Sequence, residues 1–254
     1  MIYLLLGGVS AYLGITVGLG GSTLLRPLLD AVSPLAPSSV AMLSTMAALC
    51  AALVSAFFAL GRPLPLHQDE LILLAAGGAL GGVVGDLLSA RFMSLLSESG
   101  VILLQNALLF TLIALAAVYF GMLSHVVRPL SITRMASLPA AFLIGLFASF
   151  LSFGAEPITI AAYYLLFDAE DDEAAVASLT VALTALSGKL ITMLIRQRFF
   201  LPDADALLWL LPGAILGAIG AVLLALRRRR TAISETLLRM SLFTSLINMA
   251  AALT

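Results

Sequence analysis

Gly14-Ile15-Thr16-Val17-Gly18-Leu19-Gly20-Gly21-Ser22-Thr23-Leu24-Leu25-Arg26-Pro27 follows the first apolar run of the chain, and its reading decides the fold. Glycine accepts the sharp reversals that other residues resist. Ser22 and Thr23 are good N-caps for a helix that starts just after them. The apolar piece that follows, 22–32, is far shorter than the roughly 20 residues a span needs. The stretch therefore predicts a broken segment: a helix, a glycine break and a half-helix. In lipid such a break survives only where protein or a water-filled cavity satisfies the freed backbone. Gly14 and Gly18 read more simply as positions where two helices pack closely. Packing does not explain the short helix after Gly20, Gly21, Ser22 and Thr23, so those four are candidates for function.

Working outward, apolar runs of spanning length fall near 1–20, 38–60, 70–90, 100–122, 136–154, 173–195, 205–226 and 233–253, with a second short piece near 156–167. Of 254 residues, 61% are hydrophobic and 11% charged, and the mean hydropathy is +1.12. Soluble domains carry about a quarter charged residues. This is the composition of an all-α integral membrane protein. The single Cys50 excludes a disulfide framework, and His67 with His125 makes no metal cluster. No metal and no cofactor is expected. The run Arg227-Arg228-Arg229-Arg230 is too isolated for nucleic-acid binding and reads as a loop that holds topology. Met1-Ile2-Tyr3-Leu4 lacks a basic leader region, so the first run is read as a retained span.

The order long–break–short–long occurs twice. Gly20, Ala41, Ser44, Ala48, Leu49 and Ala51 correspond to Gly154, Ala175, Ser178, Ala182, Leu183 and Ala185, each pair 134 residues apart. Asp69, Leu74, Gly77 and Gly81 correspond to Asp205, Leu210, Gly213 and Gly217, each pair 136 apart. The expectation is an internal duplication: a first transmembrane repeat over 1–123, a linker over 124–135 and a second repeat over 136–254. Each repeat would hold a broken or re-entrant helix plus three to four transmembrane helices. Lys and Arg collect on the cytoplasmic side. With eight simple spans the loop cations divide evenly. With five segments per half they divide seven to three, the seven being Arg62, Arg128, Arg134 and the four-arginine run. Five segments is an odd number, so the two repeats would be inverted, as in several secondary transporters.

Intramembrane charges are costly and usually face a cavity or a partner. Lys189, in Ser187-Gly188-Lys189-Leu190, reads either as a cationic partner for an anion or as a side chain snorkelling to the interface; Arg26 leaves the same two readings open. Asp86 reads as an interfacial partner of Arg91. Glu156, in Ser152-Phe153-Gly154-Ala155-Glu156-Pro157, stands where the first repeat has Ser22. A helix N-terminus favours its carboxylate and the membrane interior favours the neutral acid. That makes Glu156 the candidate for coupling protons to transport. Ser44 and Thr45, with Ser178 and Thr180 on the repeat-related helix, offer hydroxyls suited to an oxyanion. Gln105 and Asn106 are polar in mid-run, whereas Tyr163, Tyr164 and Trp209 read as interface or core packing.

The glycine-rich break, the short apolar helix reaching a Pro and the following Ala-x-x-Ser helix, all repeated, resemble the TauE/SafE family of sulfite and organosulfonate exporters. Gly18-Leu19-Gly20-Gly21-Ser22 and Pro27 match that family's Gly-x-Gly-Gly-Gly and Pro with one substitution. The second copy keeps one glycine, Gly154, and has Ala161 in place of the Pro. The resemblance covers nearly the whole chain. It implies a multi-pass protein of the bacterial inner membrane that exports a small sulfur-containing anion, and no enzymatic activity. Read from the residues themselves, the candidate anion site gathers Gly20, Gly21, Ser22, Thr23, Arg26, Ser44, Thr45, Gly154, Ser178, Thr180 and Lys189. Partners are the anion, membrane lipid and protons; a homodimer is the assembly to test. Other anions, a channel-like mechanism, a non-transporting subunit and a membrane-embedded enzyme are the alternatives.

Overall fold

The structure is a computed structural model that describes residues 1–17, 24–32, 35–59, 64–120, 129–153, 156–196 and 204–227. Among these the regular structure is helical: α1 (Ile2–Val17), α2 (Leu25–Val32), α3 (Pro37–Ala59), α4 (Gln68–Leu95), α5 (Glu98–Val118), α6 (Ser137–Leu151), α7 (Glu156–Phe167), α8 (Asp171–Ile195) and α9 (Ala204–Arg227). A single 3-10 turn, Arg134–Ala136, leads into α6. The expected run 233–253 lies outside the described residues. Six of the helical segments are long and apolar enough to cross a membrane. Leu53, Phe57, Ile72, Leu80, Leu115, Leu143 and Leu208 are exposed on their outer faces, where hydrocarbon is the natural solvent.

The boundaries follow local chemistry. Pro37 opens α3, where its missing N–H removes no helical bond. Ser97 caps α5 by accepting from the Gly100 N–H at 3.2 Å. Glu170 and Glu173 form a reciprocal capping box at the start of α8. α4 is longer than the expected 70–90, and this corrects one reading. Asp86 is 5% exposed and well inside the helix, whereas Arg91 is exposed. Asp86 is therefore a buried acid rather than half of an interfacial pair.

The long helices pack in the order α1–α9–α3–α8–α4–α6. Glycine explains how they approach so closely. A Cβ on Gly77 or Gly81 of α4 would collide with the carbonyl oxygen of Leu138 or Phe142 on α6. A Cβ on Gly213 or Gly217 of α9 would collide with that of Leu4 or Gly8 on α1. Leu138 and Phe142 stand 134 residues after Leu4 and Gly8, so the same backbone contact is made twice. A second row on α4, Gly78 and Gly82, admits Val181, Thr184 and Ala185 of α8. Small residues are the usual device for helix association where lipid removes the hydrophobic drive.

α6 and α7 fold back on one another. α7 has 12 residues, about 18 Å at 1.5 Å per residue, short of a core about 30 Å thick, whereas α6 with its leading 3-10 turn, Arg134–Leu151, is one of the six of spanning length. The first residue of α6, Ser137, touches Tyr163 in the second half of α7. The N–H groups of Leu130 and Ile132 donate to the carbonyls of Leu165 and Leu166 at 2.8 Å each. Both open ends of the hairpin therefore lie together, and the end of α6 at Ser152 and Phe153 lies at the other end.

Candidate functional site

α6 ends inside the protein. Ser149, Phe150, Leu151, Ser152 and Phe153 are all buried, at 6% exposure or less. Ser152 adopts a left-handed conformation (φ 57, ψ 40). Its N–H returns to the Ser149 carbonyl at 3.2 Å, and the Phe153 N–H returns to that of Ala148 at 3.0 Å. This is a Schellman-type stop, made here without glycine at a cost of about 1–2 kcal/mol. The last carbonyls of a helix have no partner within it, and burial makes an unpaired carbonyl expensive. Side chains from three other helices reach three consecutive ones.

Lys189 of α8, 1% exposed, donates to the Ser149 carbonyl and to Ser152 Oγ at 2.6 Å each. Gln105 Nε2 of α5 donates to the Phe150 carbonyl at 3.1 Å. Arg26 Nη1 of α2 donates to the Leu151 carbonyl at 3.4 Å. Cations suit the negative end of a helix, so the site begins as a capped helix terminus. Ser149 Oγ, donating to the Gly82 carbonyl at 2.6 Å, fixes this terminus to α4.

Arg26 is the hub. Its Nε donates to Asp30 Oδ2 at 3.1 Å, an i,i+4 pair with both side chains buried, and its Nη2 donates to Gln105 Oε1. Asn106 Nδ2 reaches Asp30 Oδ2 at 3.4 Å. Asp86 of α4 is a further buried acid, at 5% exposure. Neither Arg26 nor Lys189 snorkels, since both turn inward onto backbone. Gln105 and Asn106, at 4% and 1% exposure, join the same cluster.

The hydroxyls behave differently. Ser44 donates to the carbonyls of Val40 and Ala41 at 2.8 and 3.1 Å, and Thr45 to that of Ala41 at 2.6 Å. Ser178 and Thr180 donate to the carbonyls of Ala175 and Val176 at 3.2 and 2.8 Å. In this arrangement each serves its own helix, the usual habit of mid-helix Ser and Thr. Glu156 opens α7, and its Oε2 is buried with no hydrogen-bond partner among the described residues. Gly20, Gly21, Ser22, Thr23 and Gly154 lie outside the described residues.

Asp30 was not singled out from the sequence. Its i,i+4 spacing from Arg26 on a short helix was the available signal. No metal-holding group of His, Cys, Asp and Glu occurs among the described residues.

Long apolar helices around a buried, charge-bearing helix end define a multi-pass membrane protein. The chain belongs to the sulfite exporter TauE/SafE family, whose model matches residues 3–253. Comparisons with curated proteins and with solved structures return no match.

Proposed function

We propose that the protein is a secondary exporter of a small sulfur oxyanion, sulfite or an organic sulfonate, in the bacterial inner membrane. Two inverted repeats, 1–123 and 136–254 joined by 124–135, would place their broken helices around one site. The observation that carries this reading is the reach of Arg26, on the short helix of the first half, to the Leu151 carbonyl at the broken end of α6 in the second. The α6–α7 hairpin is read as re-entrant, entering and leaving on one face. The helix order supports inversion, because α1 pairs with α9 as α6 pairs with α4.

The side-chain nitrogens of Arg26, Lys189 and Gln105 each donate to a protein acceptor in this arrangement. An arriving anion would take donors from Arg26, Lys189 and Gln105 in place of the carbonyls of residues 149–151. Such exchange holds the anion through charge-assisted hydrogen bonds without a permanently vacant cationic pocket. The glycine break at Gly20 and Gly21, with Ser22 and Thr23, would add N–H groups at the start of α2. Glu156, protonated, would admit the anion and, ionised, would repel it. Flux down the anion's own gradient, the membrane potential or a proton gradient would then drive export.

Purified protein in liposomes loaded with radiolabelled sulfite or taurine tests this. Release above that of empty liposomes, competed by unlabelled sulfite, is expected. Equal competition by chloride would assign a different anion or a channel. No release with either sulfur anion would leave the reading without support.

A further inference from the structure

A second polar cluster lies far from the helix break, at the open end of the α6–α7 hairpin, and the transport site does not use it. Glu70, in the first turn of α4, is 4% exposed. Its Oε1 accepts from the Tyr163 hydroxyl of α7 at 3.2 Å and from Ser137 Oγ of α6 at 3.4 Å. Its Oε2 accepts from Arg134 Nη1 at 3.0 Å. Arg134, 54% exposed, extends Nη2 to Glu173 Oε1 of α8 at 3.8 Å. One carboxylate and one guanidinium thus join both arms of the hairpin to α4 and α8. The adjoining strap at Leu130 and Ile132 covers the last turn of α7.

The positions related to these by the duplication carry no carboxylate and no guanidinium. At the spacings of the duplication, Glu70, Tyr163, Ser137 and Glu173 correspond to Ala206, Leu29, Tyr3 and Ser39. Leu29 and Ala206 are buried in one apolar cluster, with Tyr3 packed against it. Leu29 and Ala206 in place of Tyr163 and Glu70 leave apolar surface to be exposed if that end opens. Arg134 is half-exposed and regains water when it leaves, so the cost of opening falls on Glu70. Once Arg134 leaves, Glu70 is a buried charge without its cation and draws water into the hairpin's mouth.

We propose that the Arg134–Glu70–Glu173 cluster is a latch: it holds the α6–α7 hairpin closed at one face, and its release opens that face toward the helix break. This rests on the transport reading for its purpose, but not for its test. Ala174, beside Glu173, is 0% exposed, and a cysteine there in a Cys50→Ala background reports opening to a membrane-impermeant thiol reagent, with no anion present. Arg134→Gln and Glu70→Gln are expected to label about tenfold faster than the parent, as a shift of one decade in an opening equilibrium requires. Arg134→Lys keeps the charge and should label at the parental rate.

Parental labelling in both neutral variants overturns the latch, as does equal acceleration by Arg134→Lys. If Arg134→Gln does not insert, Glu70→Gln carries the test. Sulfite flux measured in the same proteins separates the two readings. A parent that moves no sulfur anion but shows the labelling contrast removes the exporter and leaves the latch.

Discussion

The short helices α2 and α7 stand at corresponding places in the duplicated order and carry different ionisable residues in their first turns. α2 brings Arg26 in its first turn; α7 begins with Glu156. The framework around them does not differ in this way. Gly81 meets the Phe142 carbonyl as Gly217 meets that of Gly8, and α4 lies on α6 as α9 lies on α1. What recurs is close backbone packing, which constrains both halves equally. What differs is the set of ionisable residues at each break and at each hairpin mouth, which on the proposed reading decides what enters and which face opens.

The largest expected effect breaks the comparison at its charged side. Arg26→Gln leaves Asp30 buried without its cation and releases Leu151 and Gln105. A loss of about 3–5 kcal/mol is expected, the usual result of removing one partner of a buried pair. Denaturation of the detergent-solubilised protein measures it. An unchanged midpoint would mean that Arg26 does not hold the break.

Gly81→Ala and Gly217→Ala test the recurring side. Each new methyl meets a backbone carbonyl that side-chain rotation cannot move. Each should cost about 1–3 kcal/mol, the range for overpacking, and the two costs should be similar. A loss in one variant alone would remove the equivalence of the halves.

Glu156→Gln sharpens the contrast between the breaks. If protonation of Glu156 admits the anion, wild-type transport rises as pH falls. The amide imitates the neutral acid, so the variant should transport at a rate that no longer varies with pH. An identical pH profile in both would reduce Glu156 to a helix cap. Ser44→Ala should have the smallest effect. Among the described residues its hydroxyl serves its own helix, so the change should fall below about 0.6 kcal/mol, the average for polar bonds that do cross between membrane helices. A larger loss of flux would show that Ser44 turns toward substrate during transport.

Much of the framework was legible because membrane helices announce themselves by length and apolarity. The short piece 156–167 was read with the bounds that α7 has. α4 was read too short because Gln68 and Leu95 extend it beyond its apolar run, a turn that hydropathy does not mark. The residues of the charged cluster were visible but their partners were not. Lys189 and Arg26 bind backbone carbonyls of α6, and every residue has a carbonyl, so no sequence pattern marks the one that will be left without a helical partner. Arg26 and Leu151 are also 125 residues apart. Tyr163 was read as packing because its ring is core, and only its hydroxyl reveals the second cluster. Glu70 was overlooked because acids in a helix's first turn are ordinary.

The central claim is that the halves are inverted copies. α4 and α8 both begin at the Glu70–Arg134–Glu173 cluster, so their far ends, Leu95 and Ile195, point to the opposite face. Single cysteines at Ser97, Ser131 and Ala204, in a Cys50→Ala background, can be labelled from each side of the membrane with an impermeant reagent. The account predicts that Ser97→Cys and Ala204→Cys react only from outside and Ser131→Cys only from the cytoplasm. Ser97→Cys and Ala204→Cys reacting from opposite faces would contradict it.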